Sequence, residues 1–258
     1  MSTPFQKFRA LHHADKLFVL PNAWDARSAQ ILQDQKYPAI ATSSAAVANS
    51  LGYDDGEKMS FDEYLFVVRR ILTSVNVPVT VDIETGHGKT KEDIYENLRS
   101  LISLGVAGIN IEDSVIAYGQ RSMQNAKTFG GNIEFFRKKL SEDNLELFIN
   151  IRCDTYILNV ENKERETINR LSLYNNCEAD GIFLPCISNE EDIAEAVAHT
   201  KLPLNVMVIP GLPDIDTLDR LGVRRVSMGP FLFQKTYNSI VGHVREIMLT
   251  GNFAAITS

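Results

Sequence analysis

Short apolar runs alternate with stretches of helical periodicity along the whole chain. The runs are LFVLP, PAIATSSA, PVTVDIE, GINIED, LFINIRCD, GIFLPC, LNVMVIP and RRVSMGP, eight in all, and the stretches between them place apolar residues at helical spacing. Strict alternation of strands and helices favours a parallel sheet covered by helices. Eight such units in 258 residues, with no break in composition, predict one α/β domain over residues 1–258, a (β/α)8 TIM barrel. The alternative is an open, doubly wound sheet.

The charge and composition of the chain limit its partners. The formal net charge is -7 and the basic residues are scattered, which disfavours nucleic acid but not a small anionic substrate. No apolar segment is long enough to span a membrane, and the N-terminus lacks the pattern of a secretory signal. The 3 cysteines have no CxxC spacing, which is typical of reduced intracellular thiols. We therefore expect a cytoplasmic protein without a nucleic-acid or membrane partner.

Three of the predicted strands carry charges on one face. In VTVDIE the side chains alternate, so that Asp82 and Glu84 lie on the face opposite the valines and isoleucine. GINIED and INIRCD repeat this pattern with Glu112 and Arg152. Parallel strands buried on both faces normally read as continuous apolar runs, because a buried unpaired charge is expensive to desolvate. These polar faces are therefore expected to point into the barrel.

The charges also lie near the C-terminal ends of their strands, where barrel active sites are built. Three carboxylates, Asp82, Glu84 and Glu112, against the single Arg152 would leave uncompensated negative charge. A divalent cation with oxygen ligands would relieve this charge, and Mg2+ suits a site with one or two direct carboxylates and several waters. The alternative is an internal ion network that only fills the barrel mouth.

Five motifs in order along the chain carry a family resemblance: PNAWDARSAQIL, ATSSAAVANSLGYDDGE, VDIETGHG, GINIEDS and INIRCDTY. Together they resemble the isocitrate lyase and phosphoenolpyruvate mutase superfamily over about residues 5–230, and most closely its short phosphonomutase-like, 2-oxo acid lyase-like members. The resemblance implies a (β/α)8 barrel whose final helix, here residues 231–248, is often swapped between subunits. A homodimer or homotetramer is therefore expected.

The same resemblance implies roles for the polar face. Asp82 would be the direct ligand of Mg2+, with Mn2+ as an alternative metal, and Glu84 and Glu112 would act through water. Arg152 resembles the arginine that binds the substrate carboxylate or phosphonate, for which a planar two-pronged donor is suited.

Two loops and one aromatic residue complete the implied site. The backbone amides of Ser43, Ser44 and Ala45 resemble a second carboxylate cradle, although the serines would also suit strand-end capping. Asp55 in LGYDD aligns with an acidic residue that lies over the reacting atoms, although Asp and Gly also dominate simple turns. Asn22, Trp24 and Asp25 would line the pocket, or would form a helix start with Trp24 as a core residue.

The family chemistry forms or uses a pyruvate-type enolate. The segment SVIAYGQRSMQNAKTFG after the fourth strand contains neither the K-K-C-G-H loop of the isocitrate and methylisocitrate lyases nor the mutase loop. His87 stands where relatives carry an aromatic residue, and we favour packing over acid/base chemistry for it. The first hypothesis is thus a Mg2+-dependent C–C lyase or decarboxylase acting on a small 2-oxo or 2-hydroxy acid. The alternatives are a phosphoenolpyruvate or phosphonopyruvate mutase or hydrolase, and a non-catalytic 2-oxo acid binding protein.

Overall fold

The computed structural model describes residues 2–117 and 120–257, and its largest element is one nine-stranded parallel sheet. A separate two-stranded hairpin, β6 and β7, follows β5. The strands are β1 (Phe18–Leu20), β2 (Asn22–Ala23), β3 (Ile40–Thr42), β4 (Val79–Asp82), β5 (Gly108–Glu112), β6 (Ser114–Ala117), β7 (Gln120–Met123), β8 (Phe148–Arg152), β9 (Gly181–Leu184), β10 (Leu204–Met207) and β11 (Arg225–Ser227).

The ends of the large sheet meet at Pro21. The strand order is β1-β11-β10-β9-β8-β5-β4-β3-β2, and the two edge strands β1 and β2 are separated in the chain by Pro21 alone. Proline lacks the amide hydrogen that a sheet ladder needs, so the first barrel strand is divided there. Because β1 pairs with β11 and β2 pairs with β3, the sheet closes on itself. The predicted (β/α) barrel is confirmed.

Helices cover the outside of the barrel and one of its ends. They are α1 (Pro4–His12), α2 (Ala26–Asp34), α3 (Ser44–Ser50), α4 (Phe61–Leu72), α5 (Lys91–Leu104), α6 (Ala126–Glu142), α7 (Lys163–Tyr174), α8 (Glu190–His199), α9 (Ile215–Leu221), α10 (Phe231–Thr250) and α11 (Ala254–Thr257). Ser60 forms a capping box with Glu63 at the start of α4, and Gly105 ends α5 in the left-handed conformation. The Asn125 side chain caps the start of α6.

The core has two parts with different chemistry. The main apolar layer lies between the sheet and the surrounding helices and contains residues such as Val81, Ile109 and Ile151. A second cluster lies at the N-terminal ends of the strands, where Phe8 of α1 packs against Phe148. Helix α1 therefore closes the bottom of the barrel, and the opposite, C-terminal end of the strands is left open for a site.

The segment after β5 was expected to be a loop and is instead a hairpin. Strands β6 and β7 pair antiparallel, with Val115 opposite Ser122 and Ile116 opposite Arg121. Residues 118 and 119 of the quoted segment lie outside the described residues. The pairing places Arg121 on a defined strand rather than on an irregular loop. Within the described ranges, no helix has the length and apolar character needed to cross a membrane.

Candidate active site

A cavity of about 150 Å³ opens at the C-terminal ends of the barrel strands. Most of the residues predicted for the site contribute to its wall. Those that line it are Ser43, Ser44, Ala45, Asp55, Asp82 and Arg152. Parallel strands end at one rim, so residues far apart in the chain are brought together there.

Asp82 is the last residue of β4 and is held in place from three sides. Its amide donates to Thr42 Oγ1 at 3.0 Å, and its carbonyl accepts from the Tyr64 hydroxyl at 2.6 Å. Its Oδ2 accepts from Ser44 Oγ at 2.9 Å, whereas its buried Oδ1 has no hydrogen-bond partner among the described residues. Burial raises the pKa of the Asp82 carboxyl, against the nearby positive charge of Arg152.

Arg152 is the last residue of β8 and forms ion pairs with the neighbouring carboxylates. Its Nε donates to Asp154 Oδ1 at 2.6 Å, and its Nη1 lies 3.1 Å from Glu112 Oε2 and 4.0 Å from Asp82 Oδ2. Asp154 is fully buried and was not among the predicted site residues. The sequence pattern could have identified Asp154, because it lies two residues after Arg152 in INIRCD and continues the inward-facing alternation.

Glu84 does not share the strand face of Asp82, contrary to the expectation from alternation. Strand β4 ends at Asp82, and Glu84 has a left-handed backbone with φ of 50°. Its Oε1 accepts from the Glu57 amide at 3.0 Å, and its Oε2 accepts from Arg121 Nη2 at 3.2 Å. Burial, together with the charge of Asp55, raises the pKa of Glu84 to about 7.

Arg121 of the hairpin enters the acidic cluster, and no pattern in the sequence would have identified it. Its guanidinium forms ion pairs with Glu84, Glu112 and Asp154, the last at 3.7 Å. The predicted balance of three carboxylates against one arginine is therefore corrected. Four carboxylates, counting Asp82, face two arginines, and the cluster is still net negative.

The three predicted metal ligands are not assembled around one point. Both Glu112 oxygens lie beside arginines, and both Glu84 oxygens accept hydrogen bonds. Across residues 2–117 and 120–257, no group of three or more His, Cys, Asp or Glu side chains is arranged to hold a metal. Among the described residues that line the cavity, only Asp82 has a buried side-chain oxygen without a hydrogen-bond partner.

The segment that carries Asp55 is tied to the end of β4 by Glu57. Glu57 Oε1 accepts from the amide of Thr85 at 3.0 Å, from its hydroxyl at 2.6 Å and from the amide of His87 at 3.0 Å. These bonds are reciprocal to the one from the Glu57 amide to Glu84. They position Asp55 at the cavity wall, a role for Glu57 that the sequence did not reveal.

A family model for phosphoenolpyruvate phosphomutase matches residues 8–248. The chain belongs to the phosphoenolpyruvate mutase/isocitrate lyase superfamily. A crystal structure of a candidate phosphonomutase from Burkholderia cenocepacia is 32% identical with a TM-score of 0.85, and the match covers 92% of this chain and 97% of that one. An uncharacterised protein of Mycobacterium tuberculosis is 34% identical over 86% of this chain and 81% of its own length. An oxaloacetate decarboxylase of Ectopseudomonas mendocina is 28% identical over 86% and 77%.

A residue that was predicted to line the pocket lies away from the cavity wall. Trp24, expected to contact substrate, packs against Phe233 of α10 with ring centroids 5.3 Å apart and lines a separate groove between α2 and α10. Asn22 lines the cavity in its place, and its Oδ1 accepts from the amides of Met228 and Gly229. Strand alternation would have placed Trp24 on the same face as Asn22, but β2 ends at Ala23 and the chain turns into α2, which begins at Ala26.

His87 has the packing role that we favoured. Its ring stacks on Tyr64 and lies against Phe61, with centroid distances of 5.8 and 5.5 Å. Burial lowers its pKa, which favours the neutral ring. The polar wall of the cavity therefore consists of Asp82, Arg152 and Asp55, with the amides of Ser44 and Ala45 at the start of α3. The Ser43 amide, which was predicted to join them, instead donates to the Ala23 carbonyl at 3.3 Å. Such a wall can bind one carboxylate, stabilise an adjacent oxyanion and exchange a proton.

Proposed function

We propose that the chain is a Mg2+-dependent lyase or decarboxylase that cleaves a C–C bond of a small 2-oxo or 2-hydroxy carboxylate through a pyruvate-type enolate. The observation that carries this proposal is the buried, unpartnered Oδ1 of Asp82 beside Arg152 in the cavity. Burying a carboxylate oxygen without a partner costs free energy unless a cation binds to it. The superfamily consists of lyases and mutases, and one relative is an oxaloacetate decarboxylase.

The residues fit Mg2+ rather than a metal held by protein ligands alone. Enzymes of the superfamily are generally Mg2+-dependent. Mg2+ retains several waters and takes one or two carboxylates directly, so Asp82 alone would suffice as a direct ligand. Glu84 and Glu112 would act through bridging water, as the resemblance implies. Their arginine partners do not prevent this role, because a carboxylate oxygen accepts more than one hydrogen bond.

The chain's own residues would bind and orient the substrate. Arg152 and the amides of Ser44 and Ala45 would hold the substrate carboxylate from two sides. Asp55, held over the cavity by the Glu57 contacts, would exchange the proton at the carbon where the bond breaks. When bound, Mg2+ supplies positive charge that stabilises the enolate oxygen.

The reaction is tested by a substrate panel. Pure protein with Mg2+ is incubated with oxaloacetate, 2-methylisocitrate, 4-hydroxy-2-oxopentanoate and phosphonopyruvate, and pyruvate is followed together with the phosphorus NMR spectrum. We expect Mg2+-dependent pyruvate release from at least one of the first three. Turnover of phosphonopyruvate alone would instead establish the mutase or hydrolase alternative. Tight oxalate binding with no turnover of any compound would identify a non-catalytic 2-oxo acid binding protein.

A further inference from the structure

The cavity wall has a polar half and an apolar half. Strands β2, β4, β5, β8 and β11, with the turn into α3, contribute polar groups that include Asp82 and Arg152. On the other side, Phe183 and Pro185 from β9 and its end and Met207 from β10 contribute apolar surface. The two halves follow the strand order around the barrel. A ligand that lies across the mouth therefore contacts polar groups at one end and apolar side chains at the other.

The apolar half is packed into a defined shape. Phe183 is 5% exposed, and the Met207 side chain fills the space that a Cβ on Gly229 would occupy. Ile157, from the loop after β8, extends the same side and is 40% exposed. A preformed apolar wall of this kind binds alkyl groups well and gives a charged group no partner.

Positive charge is scarce along this wall. Among the described residues that line the cavity, Arg152 is the only cationic side chain. Its guanidinium is already shared with Glu112 and Asp154, and one substrate carboxylate would use its remaining donors. Arg121 is committed to three carboxylates and does not line the cavity. A second substrate carboxylate would lie against Phe183 and Met207 without a counterion.

We infer that the substrate has a single carboxylate, next to its 2-oxo group, and an apolar substituent at its other end that packs on Phe183 and Met207. The inference rests on the proposed function and selects the lyase over the decarboxylase. The substrate class is then a 4-hydroxy-2-oxo acid with an alkyl group on C4. The C3–C4 bond breaks, its electron pair forms the pyruvate enolate, and the C4 hydroxyl loses its proton to become an aldehyde. C3 takes up one proton to complete pyruvate, and no oxidant or reductant is needed.

Two uncleavable 2-oxo acids of equal chain length test the binding preference. 2-Oxopentanoate and 2-oxoglutarate differ only in a terminal methyl against a terminal carboxylate. We expect calorimetry in the presence of Mg2+ to show at least about tenfold tighter binding of 2-oxopentanoate, about 1.4 kcal/mol. Turnover of 4-hydroxy-2-oxopentanoate is expected to exceed that of 4-hydroxy-2-oxoglutarate by a similar factor in kcat/KM.

A charge placed in the apolar half should reverse this preference. Met207→Arg is expected to strengthen 2-oxoglutarate binding about tenfold and to weaken 2-oxopentanoate binding, while Val208→Arg, one residue on and outside the cavity wall, leaves the ratio unchanged. Equal or tighter binding of 2-oxoglutarate to the unmodified protein would overturn the inference and leave the proposed function standing. If neither acid binds, the inference is overturned, and the substrate panel decides the proposed function separately. The comparison of ligands on the unmodified protein does not depend on how well the variants fold.

Discussion

At the scale of single residues, the site combines one carboxylate oxygen that has no hydrogen-bond partner among the described residues with carboxylates that have several partners. Asp82 Oδ1 is buried without a hydrogen bond, whereas Glu84 and Glu112 are each engaged by Arg121. A buried oxygen left unsatisfied lowers the stability of the metal-free protein by about 1–3 kcal/mol. Function and stability are therefore opposed at Asp82.

Asp82→Asn should separate metal binding from stability. We expect it to abolish Mn2+ binding, measured by electron paramagnetic resonance, and Mg2+-dependent activity. The metal-free variant should be more stable by about 1 kcal/mol, a rise of about 2–4 °C in Tm, because a buried negative charge is removed. Asp54→Asn, at an exposed position in the chain, is the control and should change neither property. Full Mn2+ binding by the Asp82 variant would refute the metal assignment.

Asp54 and Asp55 are adjacent and provide a matched pair of variants that tests the proton transfer. Only Asp55 lines the cavity. Asp55→Asn should lower kcat by about 100-fold, the usual contribution of a general acid or base, with little change in Mn2+ affinity. Asp54→Asn should keep kcat within about twofold, the range of ordinary surface substitutions. Equal kcat values for the two variants would show that another group handles the proton.

At the scale of elements, helix α1 determines how the bottom of the barrel is sealed. His12 of α1 is buried, its Nδ1 lies 2.9 Å from the Phe8 carbonyl, and its Nε2 lies 3.3 Å from Arg225 Nη1. These contacts suit a neutral ring that donates from Nδ1 and accepts at Nε2. Burial, and then the charge of Arg225, lowers the pKa of His12 well below its usual range.

The buried histidine should make stability depend on pH. The unfolded chain protonates His12 near pH 6.5, but the folded protein does not. The free energy of unfolding should therefore fall as the pH drops below about 6.5, by up to about 1.4 kcal/mol per pH unit from this group. Urea unfolding of His12→Gln between about pH 7.5 and 5.5 should show a flatter dependence. His13→Gln, one residue on and exposed, should retain the slope.

At the scale of the whole molecule, α10 leaves a large apolar surface uncovered. Ile240, Val244, Met248 and Leu249 are 50%, 54%, 81% and 80% exposed. Contiguous apolar patches of this kind mark interaction sites in folded proteins. The helix also borders the groove lined by Trp24 and Ile31. We propose that this surface forms a homodimer or homotetramer contact, with the helix exchanged between subunits.

Disrupting the apolar face of α10 should change the assembly. Light scattering after gel filtration is expected to give a dimer or tetramer for the unmodified chain. The double variant Ile240→Glu/Val244→Glu should be monomeric, because two charges would be buried in the contact. Arg245→Glu is exposed on the same helix and should not dissociate the assembly. A monomeric unmodified protein at micromolar concentration would contradict the proposal.

The sequence by itself determined the barrel and the inward charges on its strands. Alternation of strand and helix predicted the closed sheet, and a period of two correctly placed Asp82 and Arg152 at the mouth. Both patterns are local, because secondary structure, and the side of the sheet on which a side chain lies, depend on neighbouring residues. The helix caps at Ser60 and Gly105 were readable for the same reason.

Only the tertiary structure decided how the connections fold over that mouth. Arg121 reaches Glu84 across 37 positions, and Glu57 binds the turn after β4 from 28 positions away at Thr85. The turn at Glu84 and the outward position of Trp24 likewise depend on packing against other segments. Contacts between segments leave no periodic trace in the chain, because many loop paths are compatible with one pattern of strands. The barrel could therefore be predicted from the sequence, but the second arginine in its acidic cluster could not.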